Sequence, residues 1–373
     1  MGLNLENKYC SVIIQRTLNS MNKYSVIGVM SGTSLDGIDI VYCQLLLNKK
    51  WNYNIIKSQT YQYPKVWKQK LINAHLLKAR DFVFLDHEFG KYIGEKTNQF
   101  IIENNLLKEE IDLISSHGHT IFHEPQNGFT FQLGNGTQIC AITKLKTISD
   151  FRTLNVAFGG HGAPLVPKGD QLLFDQYKAC LNLGGIANIS FNNHESLTAG
   201  DINFANMISN YLSEKLGFSL DEDGHLAAQG SYNENLMSKL KNLDFYQKDF
   251  PKSLSIEDFN IWYKPIFDNC NCSIYDQLFT SGIHLCETIK NSLNMDEKDE
   301  ILITGGGSYN NFWIKKLKEF KVNVVIPNSI LIDFKEALIF ALLGVLKMRN
   351  EENSLSSVTG SSKNLKTGTI YDS

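Results

Sequence analysis

Two stretches of this chain share one pattern, and that pattern limits the fold more than any other feature. VIGVMSGTSLDGIDIVYCQL (Val26–Leu45) and ACLNLGGIANISFN (Ala179–Asn192) each read as strand, glycine-bearing turn, strand. They stand about 150 residues apart. A third element, ILITGGGSYNNFWIKKL (Ile301–Leu317), reads as a strand, three glycines and an amphipathic helix. Similar hairpins far apart in one chain predict two domains on one plan, and 373 residues suit two domains. Helical periodicity fills VWKQKLINAHLLKARDFVFLDHEFGKYIGEKTNQFIIENN (Val66–Asn105). Strands mixed with long helices predict α/β layers, whose ligands bind at strand ends.

Composition narrows the function classes. A net charge of -3 and a pI near 6.3 give no electrostatic case for a nucleic-acid or membrane-surface partner. The longest apolar run, Ala337–Leu346, is too short to span a membrane and reads as a helix buried on most sides. A polar tail begins at Asn350. Residues 1–20 have no signal-peptide layout and read as a dispensable arm, with Met21 as an alternative start. Glu6 stands where a myristoylation motif wants Ser or Thr. The scattered cysteines Cys10, Cys43, Cys140, Cys180, Cys270, Cys272 and Cys286 suit reduced thiols and a cytoplasmic protein. Cys270 and Cys272 lack the second pair that a zinc site needs.

Glycine lets a backbone amide approach a phosphate unhindered, which Gly32 and Gly37 can offer beside the Thr33 and Ser34 hydroxyls. Asp36 is unwelcome next to bare phosphate but fits if magnesium lies between. Gly184 and Gly185 can hold the same triphosphate from the second domain, and Gly305, Gly306 and Gly307 can admit an adenine or ribose. Each turn alone reads as well as an ordinary tight turn; three at strand ends favour a nucleotide. No Walker, Rossmann or protein-kinase motif is present. The nucleotide is therefore expected between two related domains, as in the actin and sugar-kinase group.

A series of blocks then carries a family resemblance. MSGTSLDGID, SSHGHTIFHEP, FQLGNG, SDFR, GGHGAPLVP, LNLGGIANIS, PKS, ITGGGSYN, KEALIFALLG and SVTGS occur in this order between Tyr24 and Tyr371. Together they resemble the anhydro-N-acetylmuramic acid kinases of cell-wall recycling. The resemblance implies two actin-like, ribonuclease H-like ATPase domains with a nucleotide cleft between them. The expected division is 21–155 plus about 336–373 for the first and 156–335 for the second. It implies ATP and magnesium, a homodimer, and conversion of 1,6-anhydro-N-acetylmuramic acid to its 6-phosphate with opening of the anhydro bridge. By the same resemblance, ATP is held by Gly32, Thr33, Ser34, Leu35, Asp36, Gly37, Ile38 and Asp39, with the glycines of the other two turns. Asp36 organises the metal, Asp201 is the catalytic base, and His117, Thr120, Arg152 and Glu336 meet the sugar.

The block around Asp201 departs most from the family. In GDINFANMISN, residues Ile202, Asn203, Phe204 and Ala205 replace Thr-Gly-Pro-Gly, and Asn210 stands in place of an aspartate. If the family glycines need positive φ, Asn203 tolerates it better than Ala205. His119 and His161 stand where the family has Gln.

Bland alternatives remain open at several positions. His117 and His119 at strand spacing share a face and suggest a metal site, a sugar contact or structural hydrogen bonding. Asp150 and Arg152 can form a surface salt bridge; Arg152 can equally meet the lactyl carboxylate of the sugar. Asp333 and Glu336 have capping-box spacing. Asp221 and Asp223 match either a family loop or a solvated turn, and the EF-hand pattern fails after them. Three functions therefore compete: the ATP-dependent sugar kinase, a non-catalytic relative that binds nucleotide or sugar as a sensor, and a metal-dependent hydrolase using the histidines.

Overall fold

The structure is a computed structural model that describes residues 22–32, 35–192, 197–293 and 296–372. The N-terminal arm, Cys10, Thr33 and Ser34 lie outside the described residues. The chain divides into two compact units: unit 1 runs to Leu173 and resumes at Glu336, and unit 2 is Phe174–Lys335.

Unit 1 is built on β1 (Lys23–Ser31), β2 (Gly37–Leu47), β3 (Trp51–Gln62), β4 (Leu113–Ser116) and, beyond a separate hairpin of β5 (His119–Glu124) and β6 (Phe129–Leu133), β7 (Thr147–Ser149). The sheet order is β3-β2-β1-β4-β7, with the C-terminal strand Thr369–Tyr371 added beyond β7. Pairs β3/β2 and β2/β1 are antiparallel; β1/β4 and β4/β7 are parallel.

Unit 2 has β8 (Ala179–Leu183), β9 (Ile186–Phe191), β10 (Thr198–Phe204), β11 (Glu300–Thr304) and β12 (Asn323–Val325), in the order β10-β9-β8-β11-β12. Pairs β10/β9 and β9/β8 are antiparallel; β8/β11 and β11/β12 are parallel. Numbered within each unit, both sheets therefore read 3-2-1-4-5 with the same directions. This is the ribonuclease H-like plan of an actin-like ATPase, present twice.

Close packing explains several small residues. The run Ala337–Leu346 lies in the helix Ser329–Met348, and Leu338, Ile339, Ala341, Leu342, Leu343 and Val345 are wholly buried. A Cβ on Gly28 of β1 would stand 2.1 Å from the Ala337 carbonyl, and one on Gly344 would stand 2.6 Å from Ser115 Oγ. Glycine lets helix and sheet touch backbone to backbone at Gly28, and lets the Ser115 side chain reach the helix backbone at Gly344. In unit 2, Leu181, Leu183, Ala187 and Ile189 share one apolar core with Leu278, Leu285 and Ile289 of the helix Ile274–Ser292.

Two expectations change. The first break falls after Leu173, past the expected 155, because 155–173 is tied into unit 1. Asn155 Nδ2 donates to Ser354 Oγ (2.8 Å) and Thr359 Oγ1 (2.9 Å), and Gly169 packs against Ile339. The polar tail after Asn350 is tied into the same unit. The buried Asn353 side chain donates to the carbonyls of Leu343 and Thr367 and accepts from the Thr367 amide and hydroxyl. Asp333 and Glu336 form no capping box. The helix starts earlier, at Ser329, with Asn328 Oδ1 accepting from the Leu331 amide.

Candidate functional site

In unit 1 the polar turn joins β1 to β2, the two strands that run antiparallel at the sheet's centre. Gly32 is half-buried and its carbonyl accepts from the Leu35 amide at 3.4 Å. Leu35 has φ of +60°, the left-handed conformation that lets so short a turn close. Asp36 is exposed, and its carboxylate makes no hydrogen bond or ion pair among the described residues. Its carbonyl accepts from the Tyr63 amide at 3.1 Å, and the Tyr63 hydroxyl lies 2.6 Å from Ser31 Oγ. Tyr63 thus clasps both ends of the turn. His119 Nδ1 sits 2.8 Å from the same Ser31 Oγ.

Gly37 has a packing reason of its own: a Cβ there would stand 2.4 Å from the Tyr61 carbonyl. Ile38 is core, so only its backbone is left for a ligand. Asp39 already accepts from Thr60 Oγ1 at 2.5 Å.

Arg152 centres a second group. Its Nε–H donates to His117 Nε2 at 2.9 Å and Nη1–H donates to the Gly162 carbonyl at 2.7 Å. An arginine only donates, so His117 Nε2 is unprotonated and Nδ1–H donates to the Gly118 carbonyl at 2.9 Å. Burial and the adjacent guanidinium hold the His117 pKa well below its usual range. Burial lowers Arg152 itself to about 10, opposed by the negative charge of Glu336, which places Glu336 within electrostatic reach. Desolvation takes His119 down to about 4. Thr120 lies half-buried beside a register shift of the β5/β6 hairpin.

Asp150 does not pair with Arg152; its carboxylate accepts from the Thr153 amide instead. His117 and His119 do not share a strand face either. β4 ends at Ser116 and β5 begins at His119, with Gly118 at φ of +78° turning the chain between them. No cluster of three metal-ligating side chains occurs among the described residues.

In unit 2 the glycine turns meet. Gly184 and Gly185 join β8 to β9, and their carbonyls accept from the amides of Asn206, Ala205 and Met207. Gly305 has φ of +83°, and a Cβ on it would stand 2.4 Å from Asn182 Oδ1. A Cβ on Gly307 would stand 2.8 Å from the Leu183 Cβ. Gly306 lies near Asn206 Nδ2. Gly185 and Gly306 are exposed.

Asp201 is on β10. Its amide donates to the Lys252 carbonyl and its Oδ2 accepts from the Leu254 amide, both at 2.8 Å. That contact explains the PKS block and Gly200, whose Cβ would meet Phe250 and Lys252. Burial pushes the Asp201 carboxyl up to about 6, against the pull of the Leu254 amide. Asp201 pairs with Asn188, Asn188 with Asn182, and Asn182 with Thr304. Paired residues share a face, so these four side chains form a polar row across the sheet. Asn182, Asn188 and Thr304 were not singled out in the sequence, because alternation shows a polar face without showing which strands adjoin. The Thr304 and Ser308 hydroxyls are buried without a hydrogen-bond partner among the described residues.

Positions 202–205 also correct an expectation. None has positive φ, and Asn203 continues β10 after a bulge between Asp201 and Asn203. Asp221 accepts from the amides of Leu226 and Ala227, the work of a structural turn.

A family model described as anhydro-N-acetylmuramic acid kinase matches residues 24–373. The protein of that name from Aliivibrio fischeri is 32% identical over 371 residues, covering 94% of this chain and 99% of its own. Its counterpart from Haemophilus influenzae is 30% identical, covering 94% and 99%. Likeness to solved structures is lower. Component A of (R)-2-hydroxyglutaryl-CoA dehydratase from Acidaminococcus fermentans gives a TM-score of 0.45 at 11% identity, over 86% of this chain and 96% of that one. The chain belongs to the anhydro-N-acetylmuramic acid kinase family.

Proposed function

We propose that this kinase opens the 1,6-anhydro bridge of N-acetylmuramic acid with water and transfers the γ-phosphoryl group of ATP to the released 6-oxygen. Asp201 is its general base. The observation that carries this reading is the placement of Asp201: a half-buried carboxylate with a pKa near 6, its second oxygen oriented by the Leu254 amide. A base poised near neutral pH is ionised in the cell and still accepts a proton readily.

Asp201 takes a proton from water as the oxygen attacks the anomeric carbon. The bond from that carbon to the bridging oxygen breaks, and the freed 6-oxygen attacks the γ-phosphorus. The bond to the ADP oxygen then breaks. Water, sugar and ATP give one phosphosugar and ADP.

The other residues bind and orient. The Ser31–Gly37 turn and the glycines at 184–185 and 305–307 receive the nucleotide. Thr304 and Ser308 have hydroxyl capacity to spare for it. Asp36, exposed and without a hydrogen-bond or ion-pair partner among the described residues, would hold a magnesium ion. When bound, that ion neutralises charge on the phosphates. Arg152 keeps donors beyond those given to His117 and Gly162; these would take the lactyl carboxylate, with Thr120 and Glu336 as further sugar contacts. The enzyme works in the cytoplasm as a homodimer.

Incubation with ATP, magnesium and the anhydro sugar tests the reading by product mass. The expected product carries the mass of the sugar plus water and one phosphoryl group. ATP binding without any such product would instead favour a nucleotide-binding sensor.

A further inference from the structure

The C-terminal end of β10 carries a buried polar network. Asn203 is 1% exposed. Its Nδ2 donates to His284 Nδ1 and Thr288 Oγ1, each at 3.1 Å. Its Oδ1 accepts from the Tyr246 hydroxyl at 2.7 Å, and that hydroxyl accepts from Tyr263 at 2.8 Å. His284 and Thr288 belong to the helix Ile274–Ser292, and the Tyr246 ring meets the His284 ring edge-on at 4.8 Å.

The network sits at a register change. Asp201 pairs with Asn188 and Asn203 pairs with Ala187, leaving Ile202 as the extra residue. In a regular strand, positions 201 and 203 share a face. Here their partners are consecutive on β9, so the two side chains point to opposite faces. Asn203 therefore turns into the core as Asp201 turns away from it. A bulge that is free to slide would carry Asp201 to the other face.

We infer that Asn203, held by Tyr246, His284 and Thr288, is a positioning residue that locks the β10 bulge and thereby aims Asp201. The inference rests on the reading of Asp201 as the base. The network does not itself titrate near neutral pH: burial keeps His284 at about 3 and holds the Tyr246 hydroxyl well above its usual range. A shift of the acid limb in an anchor variant therefore belongs to Asp201.

The test compares Asn203→Ala and the milder Tyr246→Phe with the wild type, with turnover counted per folded, ATP-binding molecule. A loosened Asp201 should cost about tenfold to a hundredfold in kcat for Asn203→Ala, the scale of a misplaced catalytic group. Tyr246→Phe should cost less. KM for ATP should stay within about twofold, and the acid limb of kcat should fall below its wild-type position as Asp201 gains solvent. A purely structural anchor predicts a lower Tm with wild-type kcat per folded molecule and an unmoved limb in both variants; that result overturns the inference. Asp201→Asn, assayed alongside, separates the two readings. If it retains near-normal turnover, the base assignment fails. If it collapses turnover while both anchor variants keep wild-type kcat and limb, only the positioning role fails.

Discussion

The first hairpin turns of the two units make an instructive pair. Both join strands one and two of the same plan, and both are closed by the residue that follows strand three. Tyr63, after β3, donates its amide to the Asp36 carbonyl; Ala205, after β10, donates to the Gly185 carbonyl. The closure is shared, but the chemistry is not. The unit 1 turn displays the Asp36 carboxylate. The unit 2 turn is Gly184 and Gly185 alone and offers only backbone. In unit 2 the carboxylate, Asp201, has moved to strand three. One topology has thus been given a carboxylate in two different places, one solvated and one desolvated.

The largest way to break that contrast is Asp201→Asn. Turnover should fall about 10² to 10⁴-fold, the worth of a general base. The same variant should be more stable at pH 8. Burial raises the native Asp201 pKa to about 6, so the folded state holds the proton more tightly than the unfolded chain. The stability tied to the neutral carboxyl is fully present below about pH 4 and is lost as pH rises through 6. An amide never ionises, so thermal melts should show a higher Tm than wild type above pH 6 and no gain near pH 4. Higher stability with no loss of activity would leave Asp201 a buried carboxylate without a catalytic role.

Arg152→Ala comes next. A charged hydrogen bond is worth roughly 1.5–3 kcal/mol, so KM for the anhydro sugar should rise about ten- to a hundredfold while KM for ATP changes little. A sugar lacking the lactyl group should lose less. Equal loss with both sugars would remove the carboxylate from Arg152. Asp36→Asn should then raise the magnesium concentration needed for half-maximal rate by about tenfold, by the same reasoning for a solvated site of lower worth. An unchanged magnesium titration would reduce Asp36 to a turn residue.

The smallest effects separate the glycines of the two turns. Gly37→Ala places a Cβ against the Tyr61 carbonyl and should cost about 1–3 kcal/mol in chemical denaturation. Gly185→Ala meets nothing closer than Met207 Cε at 3.9 Å, so stability should be unchanged or rise by about 0.4–1 kcal/mol. If Gly185 admits phosphate, its variant should raise KM for ATP without lowering Tm.

Much of this was legible in the chain itself. The two hairpins, the strand–triple glycine–helix element and the apolar run Ala337–Leu346 are local patterns, and each appears in the structure where periodicity puts it. The ordered blocks led to the family because motif order survives where fold is kept. Asn155, Tyr63 and Asn353 left no such signal. Their partners lie on other segments, from 10 residues away for Asn353 to 204 for Asn155, and such hydrogen bonds have no period to read.

What the sequence decided by itself is therefore the plan: which segments become strands and which turns are rich in glycine and oxygen. Local backbone sterics and alternation of apolar residues suffice for that. Only the tertiary structure decided how the chemistry is aimed. Asn203 read only as a residue that tolerates a turn, until β9 supplied a register that turns it inward and the helix Ile274–Ser292 supplied its partners. Asp201 acquired a pKa near 6 only by being buried beside Lys252–Leu254. Desolvation and register are properties of neighbours, and neighbours exist only once the chain has folded.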